Sequence, residues 1–349
     1  MKPKIGISMG DPAGIGAEIT VKALANGRWN NTCIPIVIGD RAAIEDAVRF
    51  TKTDIELHVI QNCSDALEGN VINLIDLGFL HPDEWEYKKV SAKCGQAAFS
   101  YVKKAALLAI DKEIAAVVTG PINKESINLA GHHYSGHTEI FADLTHTKDY
   151  AMMLLTDRLR VIHATTHVSM RDACDRITEE RIYKVIHLAN DAMRLLGFER
   201  PRIGVAGLNA HSSENGLFGW EEARSIIPAI EKARAEGLEV NGPVPPDTVF
   251  VKAEAGQYDI VVAMYHDQGH IPIKLSGFHL DLKTKRYTSL SGVNCTVGLP
   301  IIRTSVDHGT AFGKAGEGRA NEQSMVDAIE VAVTMARAKK RGESFYGGI

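Results

Sequence analysis

The feature that most constrains the fold of this chain is an alternation of short apolar runs with longer amphipathic stretches. Seven runs rich in β-branched residues have the length and composition of buried strands. The predicted strands are Lys4–Met9, Ile34–Ile38, Val71–Ile75, Ala115–Val118, Arg160–Ala164, Arg202–Ala206 and Asp259–Met264. The predicted helices are Ala17–Leu24, Gly95–Ile110, Glu179–Leu196, Glu221–Glu236 and Ser324–Ala338. Strands that alternate with helices predict an α/β fold.

The length of the chain, 349 residues, predicts two domains. No stretch of the sequence has the composition of a linker, and we place the domain boundaries near residues 130 and 310. The predicted first α/β domain is discontinuous, 1–130 plus 310–349, and the second is 131–309. The proline-rich segment Gly242–Asp247 is predicted to be a rigid loop, since proline fixes its own φ and restrains its predecessor.

Composition argues against several classes of protein. The net charge is −4, so nothing indicates a basic surface for nucleic acid. The five cysteines include no CxxC pair, which argues against a disulfide framework and for a reducing compartment. The N-terminus lacks the apolar core of a signal peptide, and no apolar run approaches the ~18–20 residues of a membrane span. We therefore expect a cytoplasmic protein without nucleic-acid or membrane partners.

Three predicted strands end in a histidine: RVIHATTH in His167, RIGVAGLNAH in His211 and DIVVAMYH in His266. Ligands of open α/β sheets bind at the carboxyl ends of strands, and three imidazoles there suit a divalent cation with an open coordination position. Asp267 follows the third histidine as a candidate acid–base or supporting group. The alternative is that these are ordinary loop histidines among 14 in the chain. The four-residue spacing of His266 and His270 also fits a ligand pair, but Gly269 argues against a helix there.

Several residues are candidates for binding an anion. The string SGHTE at 135–139 precedes an apolar stretch, which places His137 and Thr138 at a predicted helix N-terminus where free N–H groups favour phosphate or carboxylate. A plain helix cap explains the same string. Lys274 and Arg303 are further candidates, although isolated basic residues are usually surface charges.

Two turns that follow strands carry further polar residues. Gly10–Gly16 reads GDPAGIG, whose glycine spacing is not the G-x-G-x-x-G of a dinucleotide-binding turn. Asp40 ends the next strand, where a Rossmann domain has an acidic residue that binds ribose, but this position alone does not indicate a Rossmann domain. The turn in AAVVTGPINKESI offers Thr119, Asn123 and Lys124, all of which ordinary turn chemistry also explains.

Together, these strings resemble the 4-hydroxythreonine-4-phosphate dehydrogenase family, the PdxA family of pyridoxal phosphate biosynthesis. The ordered set extends nearly from end to end of the chain. Its members are GDPAGIGAE at 10–18, TGPINK at 119–124, SGHTE at 135–139, TTH at 165–167, PPDT at 245–248, AMYHDQGH at 263–270 and GLPIIRTSVDHGTAF at 298–312.

The resemblance implies two α/β/α domains similar to isocitrate and isopropylmalate dehydrogenases, and not a Rossmann fold. It implies a homodimer with shared active sites, with the metal ligands and the dimer interface in the second domain. The implied metal ligands are His167 from one subunit and His211 and His266 from the other. The implied substrate-binding residues are His137, Thr138, Lys274, Asn294 and Arg303. NAD, or alternatively NADP, would lie between the domains, and the residues that bind it are not identified.

Three longer strings look closest to the branch that acts on D-threonate or D-erythronate 4-phosphate: ENGLFG at 214–219, GPVPPDTVF at 242–250 and GQYDIVVAMYHDQGHIPIK at 256–274. Two departures from the family pattern stand out. The family's Asn-Pro-His-Ala-Gly-Glu is NAHSSE at 209–214, which changes the backbone constraints around His211. A longer segment at 279–290, predicted to be a hairpin or lid, separates Lys274 from Asn294.

The chemistry that the resemblance implies is a metal-dependent oxidation followed by decarboxylation. A zinc, cobalt, magnesium or manganese ion would polarise the substrate hydroxyl, and hydride would pass to the nicotinamide. We name Asp247 or Asp267 as the acceptor of the hydroxyl proton, because these carboxylates lie next to expected ligands. The β-keto acid would lose CO₂ with Lys124 as the acid, so that a tetronate 4-phosphate would give dihydroxyacetone phosphate. Alternatives are a family member with a non-phosphorylated substrate such as a dihydrodiol dicarboxylate, a metal-dependent hydrolase, and a non-catalytic binding module.

Overall fold

The computed structural model describes residues 2–281, 286–290 and 292–340. Its strands are β1 (Lys4–Ser8), β2 (Ile34–Gly39), β3 (Glu56–Val59), β4 (Val71–Asp76), β5 (Ala116–Thr119), β6 (Ala151–Leu155), β7 (Arg160–His163), β8 (Ile203–Ala206), β9 (Val240–Val244), β10 (Ile260–Ala263), β11 (Phe278–Asp281), β12 (Arg286–Leu290), β13 (Val293–Val297) and β14 (Arg303–Val306). Its α-helices are α1 (Gly16–Leu24), α2 (Arg41–Thr51), α3 (Ala92–Ile110), α4 (Lys124–Leu129), α5 (His137–Leu144), α6 (Met170–Asp175), α7 (Glu179–Leu195), α8 (Ile227–Ala235), α9 (Pro246–Glu254), α10 (His266–Gly277) and α11 (Gln323–Lys340).

The first of two compact units contains residues 2–147 and 299–337. Its six strands form a wholly parallel sheet in the order β3-β4-β2-β1-β5-β14. Strands β2 and β5 are buried along their whole length, as expected in a parallel sheet whose faces are covered by helices. The strand order differs from that of a Rossmann domain, in agreement with the sequence prediction.

Asp40, which follows β2, has a structural role in this unit. Its buried carboxylate accepts a hydrogen bond of 2.6 Å from the hydroxyl of the fully buried Tyr101 on α3 and one of 3.0 Å from the backbone N–H of Phe79. Burial raises the pKa of the Asp40 carboxyl. Asp40 therefore anchors α3 to the sheet, which accounts for an acidic residue where a Rossmann domain would bind ribose.

The second unit contains residues 148–298 and, of the described C-terminal residues, 338–340. Its strand order is β13-β6-β7-β10-β8-β9, in which β6 pairs antiparallel with both β13 and β7 and the remaining pairings are parallel. Buried side chains such as Leu154, Val161, Val261 and Ile273 pack together in its core. Because β7, β10 and β8 are parallel neighbours, their carboxyl ends lie at one edge of the sheet, where the sequence placed its three histidines.

The α/β fold class and all seven predicted strands are confirmed. Two local predictions are wrong. The segment Gly242–Asp247 is not a loop throughout, because β9 extends to Val244 and Pro246 occupies the first position of α9, where a missing N–H costs nothing. His266 does begin a helix, α10, despite Gly269 and Pro272 within it.

The first compact unit ends at residue 147 and resumes at residue 299. The domain boundaries predicted from the sequence lie near residues 130 and 310. Helix α5 packs on α3, and β14 pairs with β5, which explains why these flanking segments belong to the first unit. Strands β11 and β12 pair antiparallel, so the segment at 279–290 contains a hairpin; its residues 282–285 lie outside the described residues. Across the described chain, none of the helices is long and apolar enough to span a membrane.

Candidate active site

The turn GDPAGIG is shaped by close packing between strand ends. Gly10 has φ of +83°, and a Cβ at this position would collide with the backbone oxygen of Pro121 in the turn after β5. The backbone N–H of Asp11 donates to the same oxygen at 2.9 Å, and that of Ile15 donates to the oxygen of Thr310 at 3.1 Å. These contacts explain the glycine-rich spacing as a junction of three turns.

Asp11, within this turn, is fully buried. Its Oδ1 accepts a hydrogen bond from the backbone N–H of Ala13 at 2.8 Å, while Oδ2 has no partner among the described residues. Burial raises the pKa of this carboxyl to about 6, and the hydrogen bond from Ala13 opposes that rise. Asp11 was not predicted from the sequence as a site residue, because the motif stands out by its glycines.

His137, Thr138 and Arg303 belong to one polar group in the first unit. Helix α5 begins at His137, as predicted, and Thr138 is buried in its first turn. Arg303 is 3% exposed; its Nη2 donates to Oγ1 of Thr119 at 2.7 Å, and its guanidinium lies 5.7 Å from the ring centre of Phe141. Burial, and then the charge of Arg303, hold the pKa of the His137 imidazole well below its usual range.

This group combines a buried cation, a neutral imidazole and the first N–H groups of a helix. The Nε2 atom of His137 is buried without a hydrogen-bond partner in the described structure. A bound anion would offset the desolvation of Arg303 and accept hydrogen bonds from the guanidinium and from the first N–H groups of α5. The arrangement is therefore suited to a phosphate or carboxylate group.

Lys124 begins α4, and its side chain is exposed. Asn123 caps this helix, since its Oδ1 accepts from the backbone N–H of Ser126 at 2.9 Å. The cap gives Asn123 the ordinary turn role that the sequence left open. The proposed acid function of Lys124 stays a prediction.

In the second unit, His167 and His266 lie side by side beyond the ends of β7 and β10. Their ring centroids are 5.8 Å apart. Nδ1 of His266 lies 2.7 Å from Oδ1 of Asp267 and donates to it, which leaves Nε2 as the nitrogen with a lone pair in the neutral ring. Asp267 thus fixes the tautomer that a metal ligand requires.

His211 lies in a left-handed turn after β8. The five consecutive residues 211–215 all have φ between +47° and +72°, and none of them is glycine. The imidazole is largely exposed and pairs with the carboxylate of Glu214 at 3.2 Å. Such backbone is sterically costly for side chains with a Cβ, so neighbouring contacts must hold it.

Glu222 supplies those contacts. Its buried Oε1 accepts hydrogen bonds of 2.8 Å from the backbone N–H groups of both Leu208 and Asn209, and Oε2 accepts from Nδ2 of Asn209 at 2.8 Å. Glu222 begins a π-helical turn, Glu222–Ile226, that leads into α8. Separately, Gln268 on α10 donates to the oxygen of Gly207 at 2.9 Å, which ties the start of the His211 loop to the helix that carries His266.

The remaining predicted residues of the second unit lie on elements around these histidines. Asp247 is exposed in the first turn of α9, a helix that packs against the turn at 210–214. Lys274 lies on α10 with Nζ 4.6 Å from the ring centre of Phe278. Asn294 lies on β13, and its Oδ1 is buried without a partner among the described residues.

The histidine pair fits part of the implied metal site. At zinc–nitrogen distances of about 2.1 Å, two imidazoles on one tetrahedral ion have ring centroids roughly 5 Å apart, close to the separation of His167 and His266. The resemblance assigns these two residues to different subunits, whereas a single chain brings them together. Among the described residues, no group of three or more His, Cys, Asp or Glu side chains is arranged to hold an ion. The three-histidine site, with His211, stays a prediction.

A family model described as pyridoxal phosphate biosynthetic protein PdxA matches residues 31–332, most of the chain. The chain belongs to the PdxA family. The resemblance noted from its motifs is thereby confirmed.

Three other proteins are similar to this chain over almost its whole length. D-threonate 4-phosphate dehydrogenase of Salmonella typhimurium is 47% identical over 334 residues, which cover 95% of this chain and 98% of the relative. A crystal structure of 4-hydroxythreonine-4-phosphate dehydrogenase from Klebsiella pneumoniae has a TM-score of 0.83 at 45% identity and covers 96% of this chain and 100% of that one. A terephthalate 1,2-cis-dihydrodiol dehydrogenase from Burkholderia xenovorans has a TM-score of 0.67 at 28% identity, covering 96% and 98%.

These relatives confirm that this PdxA-family chain is a dehydrogenase, and the family implies a nicotinamide cofactor. The structure adds three buried residues that were not predicted from the sequence as candidates: Asp11, His163 and Glu222. Asp11 and His163 belonged to strings already quoted, but burial is a tertiary property that the strings do not reveal. Glu222 was included only as part of a predicted helix.

Proposed function

We propose that this chain catalyses the metal-dependent, NAD-linked oxidation and decarboxylation of a phosphorylated hydroxy acid, D-threonate or D-erythronate 4-phosphate. The observation that carries the proposal is the buried Arg303 guanidinium beside His137 at the start of α5. A phosphate dianion would pair with this cation and with the N–H groups of the helix. The 47% identity to a D-threonate 4-phosphate dehydrogenase supports the tetronate as substrate over 4-hydroxythreonine 4-phosphate.

The metal would be held by His167, His211 and His266. When bound, a divalent zinc, cobalt, magnesium or manganese ion supplies Lewis-acid polarisation of the substrate hydroxyl and stabilises enolate charge. Asp267 contributes by holding the His266 tautomer through its 2.7 Å hydrogen bond. A partner subunit would complete the site, so that the active sites of the homodimer are shared.

The proton from the substrate hydroxyl would go to Asp247. Asp267 is already engaged with His266, whereas Asp247 is exposed in the first turn of α9, beside the turn that carries His211. The hydrogen on C3 would leave with its electron pair as hydride, for which NAD⁺ would be the acceptor, and C3 would become a ketone. The bond from C1 to C2 then breaks, CO₂ leaves, and the enolate takes a proton at C2 from Lys124, which gives dihydroxyacetone phosphate.

We further propose that the chain forms a homodimer through the second unit. Several large apolar side chains there are exposed: Leu217, Phe218, Trp220, Val251, Ile271 and Leu275. Large exposed apolar surface usually marks an interface. Light scattering of the purified chain tests this part, and a monomer at micromolar concentration would contradict it.

A cytoplasmic location is also proposed, and the five cysteines, all free, support it.

The experiment that tests the function mixes the purified protein with NAD and a divalent cation. NADH formation is compared for D-threonate 4-phosphate, D-erythronate 4-phosphate, 4-hydroxythreonine 4-phosphate and unphosphorylated D-threonate. We expect turnover with a tetronate phosphate, and inorganic phosphate as a competitive inhibitor. Preference for the amino acid phosphate would overturn the substrate assignment, and turnover of D-threonate at equal kcat/KM would overturn the phosphate site.

Matched variants link this result to the structure. Arg303→Lys keeps the charge but loses the planar donor pair, so KM for the phosphorylated substrate should rise at least tenfold. Arg158→Lys, at an exposed arginine of the second unit, is the control and should leave KM unchanged. His211→Ala should abolish metal binding while the protein remains folded.

A further inference from the structure

His163 is a buried polar residue to which the proposed reaction gives no role. It ends β7 and is fully buried. Its Nδ1 lies 3.1 Å from the backbone oxygen of Met152 on β6; because a carbonyl only accepts, Nδ1 carries the hydrogen. The other nitrogen, Nε2, is buried without a hydrogen-bond partner among the described residues. A buried nitrogen in this state usually has a specific reason to be there.

The unpartnered nitrogen faces the helix that carries His266. A Cβ on Gly269 would overlap Nε2 of His163 and would lie 2.7 Å from Cγ1 of Val161. Only glycine therefore allows α10 to approach β7 this closely. The contact explains why a residue that weakens helices lies in the first turn of α10.

The ring of His270 lies between the ring of His163 and the ring of His266. The centroids of His163 and His270 are 4.7 Å apart, and His270 stacks on His266 with centroids 3.6 Å apart and planes 12° from parallel. Nδ1 of His270 donates to the backbone oxygen of His266 at 3.0 Å, which fixes the ring of His270 above that residue. Three imidazoles thus form a continuous series from the sheet to the proposed metal ligand.

We infer that His163 is a positioning residue that sets the place of α10 and, through the ring of His270, the ring plane of His266. The inference rests on the proposed metal role of His266. His163 itself would touch neither metal nor substrate. A fixed imidazole reduces the conformational freedom lost when an ion binds, so the expected consequence is tighter metal binding.

The protonation state of His163 is compatible with this role. Burial, and then the neighbouring His270, lower the pKa of His163 to about 3, while the hydrogen bond to Met152 opposes that shift. The ring therefore stays neutral and keeps one tautomer over the working pH range. A neutral ring can serve as a permanent packing surface, which a titrating ring cannot.

The test measures metal binding in the full-length chain after its metal has been removed with a chelator. Zinc is titrated into the wild type, His163→Phe, His163→Asn and Gly269→Ala, with affinity read by calorimetry and ring tautomers by ¹⁵N NMR. His163→Phe keeps a ring but loses the donor to Met152, and His163→Asn keeps a donor but loses the ring. We expect each variant to weaken zinc binding about 10–100-fold with NAD affinity unchanged, and to broaden or shift the His266 signals.

The control is His187→Phe, at a histidine of the same unit that pairs with Glu236 at 3.0 Å and lies outside this series. Equal affinity in the wild type and in any folded variant of His163 or Gly269 would overturn the inference, and so would an equal loss in the control. If one variant does not fold, the others decide, because they change the same contact from opposite sides. Wild-type zinc affinity in His266→Ala would instead overturn the proposed metal site, which distinguishes the two failures.

Discussion

Arg303 and Thr119 join two neighbouring strands of the first unit through a buried hydrogen bond. Nη2 of Arg303, at the start of β14, donates to Oγ1 of Thr119, at the end of β5, at 2.7 Å. Thr119 is fully buried, and it directs a guanidinium that would otherwise have several rotamers. The sequence suggested both residues separately as candidates, but only the fold shows that one orients the other.

This relationship predicts the effect of Thr119→Val. The substitution keeps the side-chain volume and leaves a buried N–H of Arg303 without its acceptor, a loss of about 1–3 kcal/mol. We expect KM for the phosphorylated substrate to rise about tenfold with kcat nearly unchanged, measured by steady-state NADH formation. The control is Ser305→Ala, which removes another buried hydroxyl, one that donates to the oxygen of Val306 at 2.9 Å on β14. An unchanged KM in Thr119→Val would show that Arg303 does not depend on Thr119.

Asp11 predicts a pH-dependent change in stability. Its pKa is raised by burial from 3.8 to about 6, so its stabilising contribution is complete below the unfolded pKa and is lost as the pH rises through about 6. Asp11→Asn does not titrate, and its amide oxygen can still accept from Ala13. We expect the variant to be more stable than the wild type at about pH 8, by an amount on the order of 3 kcal/mol, with a smaller difference at about pH 5.

Thermal midpoints at the two pH values measure this effect. Asp54→Asn, at an exposed carboxylate of the same unit, is the control and should show little change at either pH. A uniform shift of Asp11→Asn at both pH values would mean that the carboxyl has an ordinary pKa in the folded chain. Destabilisation at about pH 8 would mean that the ionised form is bound by a partner that the fold does not show.

The histidines show how far the sequence alone could lead. An apolar run that ends in a histidine predicts a strand end, and parallel neighbours bring such ends to one edge, so the pairing of His167 and His266 followed from local pattern. Helix α10 could not be predicted in this way, because glycine is unfavourable in a helix. Gly269 is needed there because a Cβ at this position would overlap the ring of His163. A contact between residues more than a hundred positions apart in sequence leaves no periodicity to detect.

The hydrogen bonds that Glu222 accepts from Leu208 and Asn209 predict a loss of metal affinity in Glu222→Ala. This carboxylate accepts from two backbone N–H groups that precede His211, and its removal leaves both donors unsatisfied. The left-handed turn should relax, so we expect zinc binding to weaken about tenfold, with the thermal midpoint lowered. Glu222→Gln keeps the acceptor for both N–H groups and should lose much less. Calorimetric titration with zinc compares the two variants. Equal zinc affinities would show that the hydrogen bonds of Glu222 do not support the His211 turn.

Ser212 provides the converse test, a substitution that should relieve strain in the same turn. Its φ and ψ are +53° and +48°, and its buried Oγ has no hydrogen-bond partner among the described residues. A left-handed residue with a Cβ costs roughly 1–2 kcal/mol, whereas glycine adopts this conformation freely. After the entropy of glycine in the unfolded chain is subtracted, Ser212→Gly should stabilise the fold by about 0.5–1 kcal/mol.

Ser213→Gly is the matched comparison, because Ser213 has φ of +72° but uses its hydroxyl. That hydroxyl donates to the oxygen of Gly219 and accepts from the backbone N–H of Gly216 at 3.1 Å. The relief of strain and the lost hydrogen bonds should nearly cancel, so its thermal midpoint should stay close to that of the wild type. If Ser212→Gly lowers the midpoint, the left-handed turn is not strained at this residue. The altered NAHSSE sequence would then be compatible with the His211 loop without the support of Glu222.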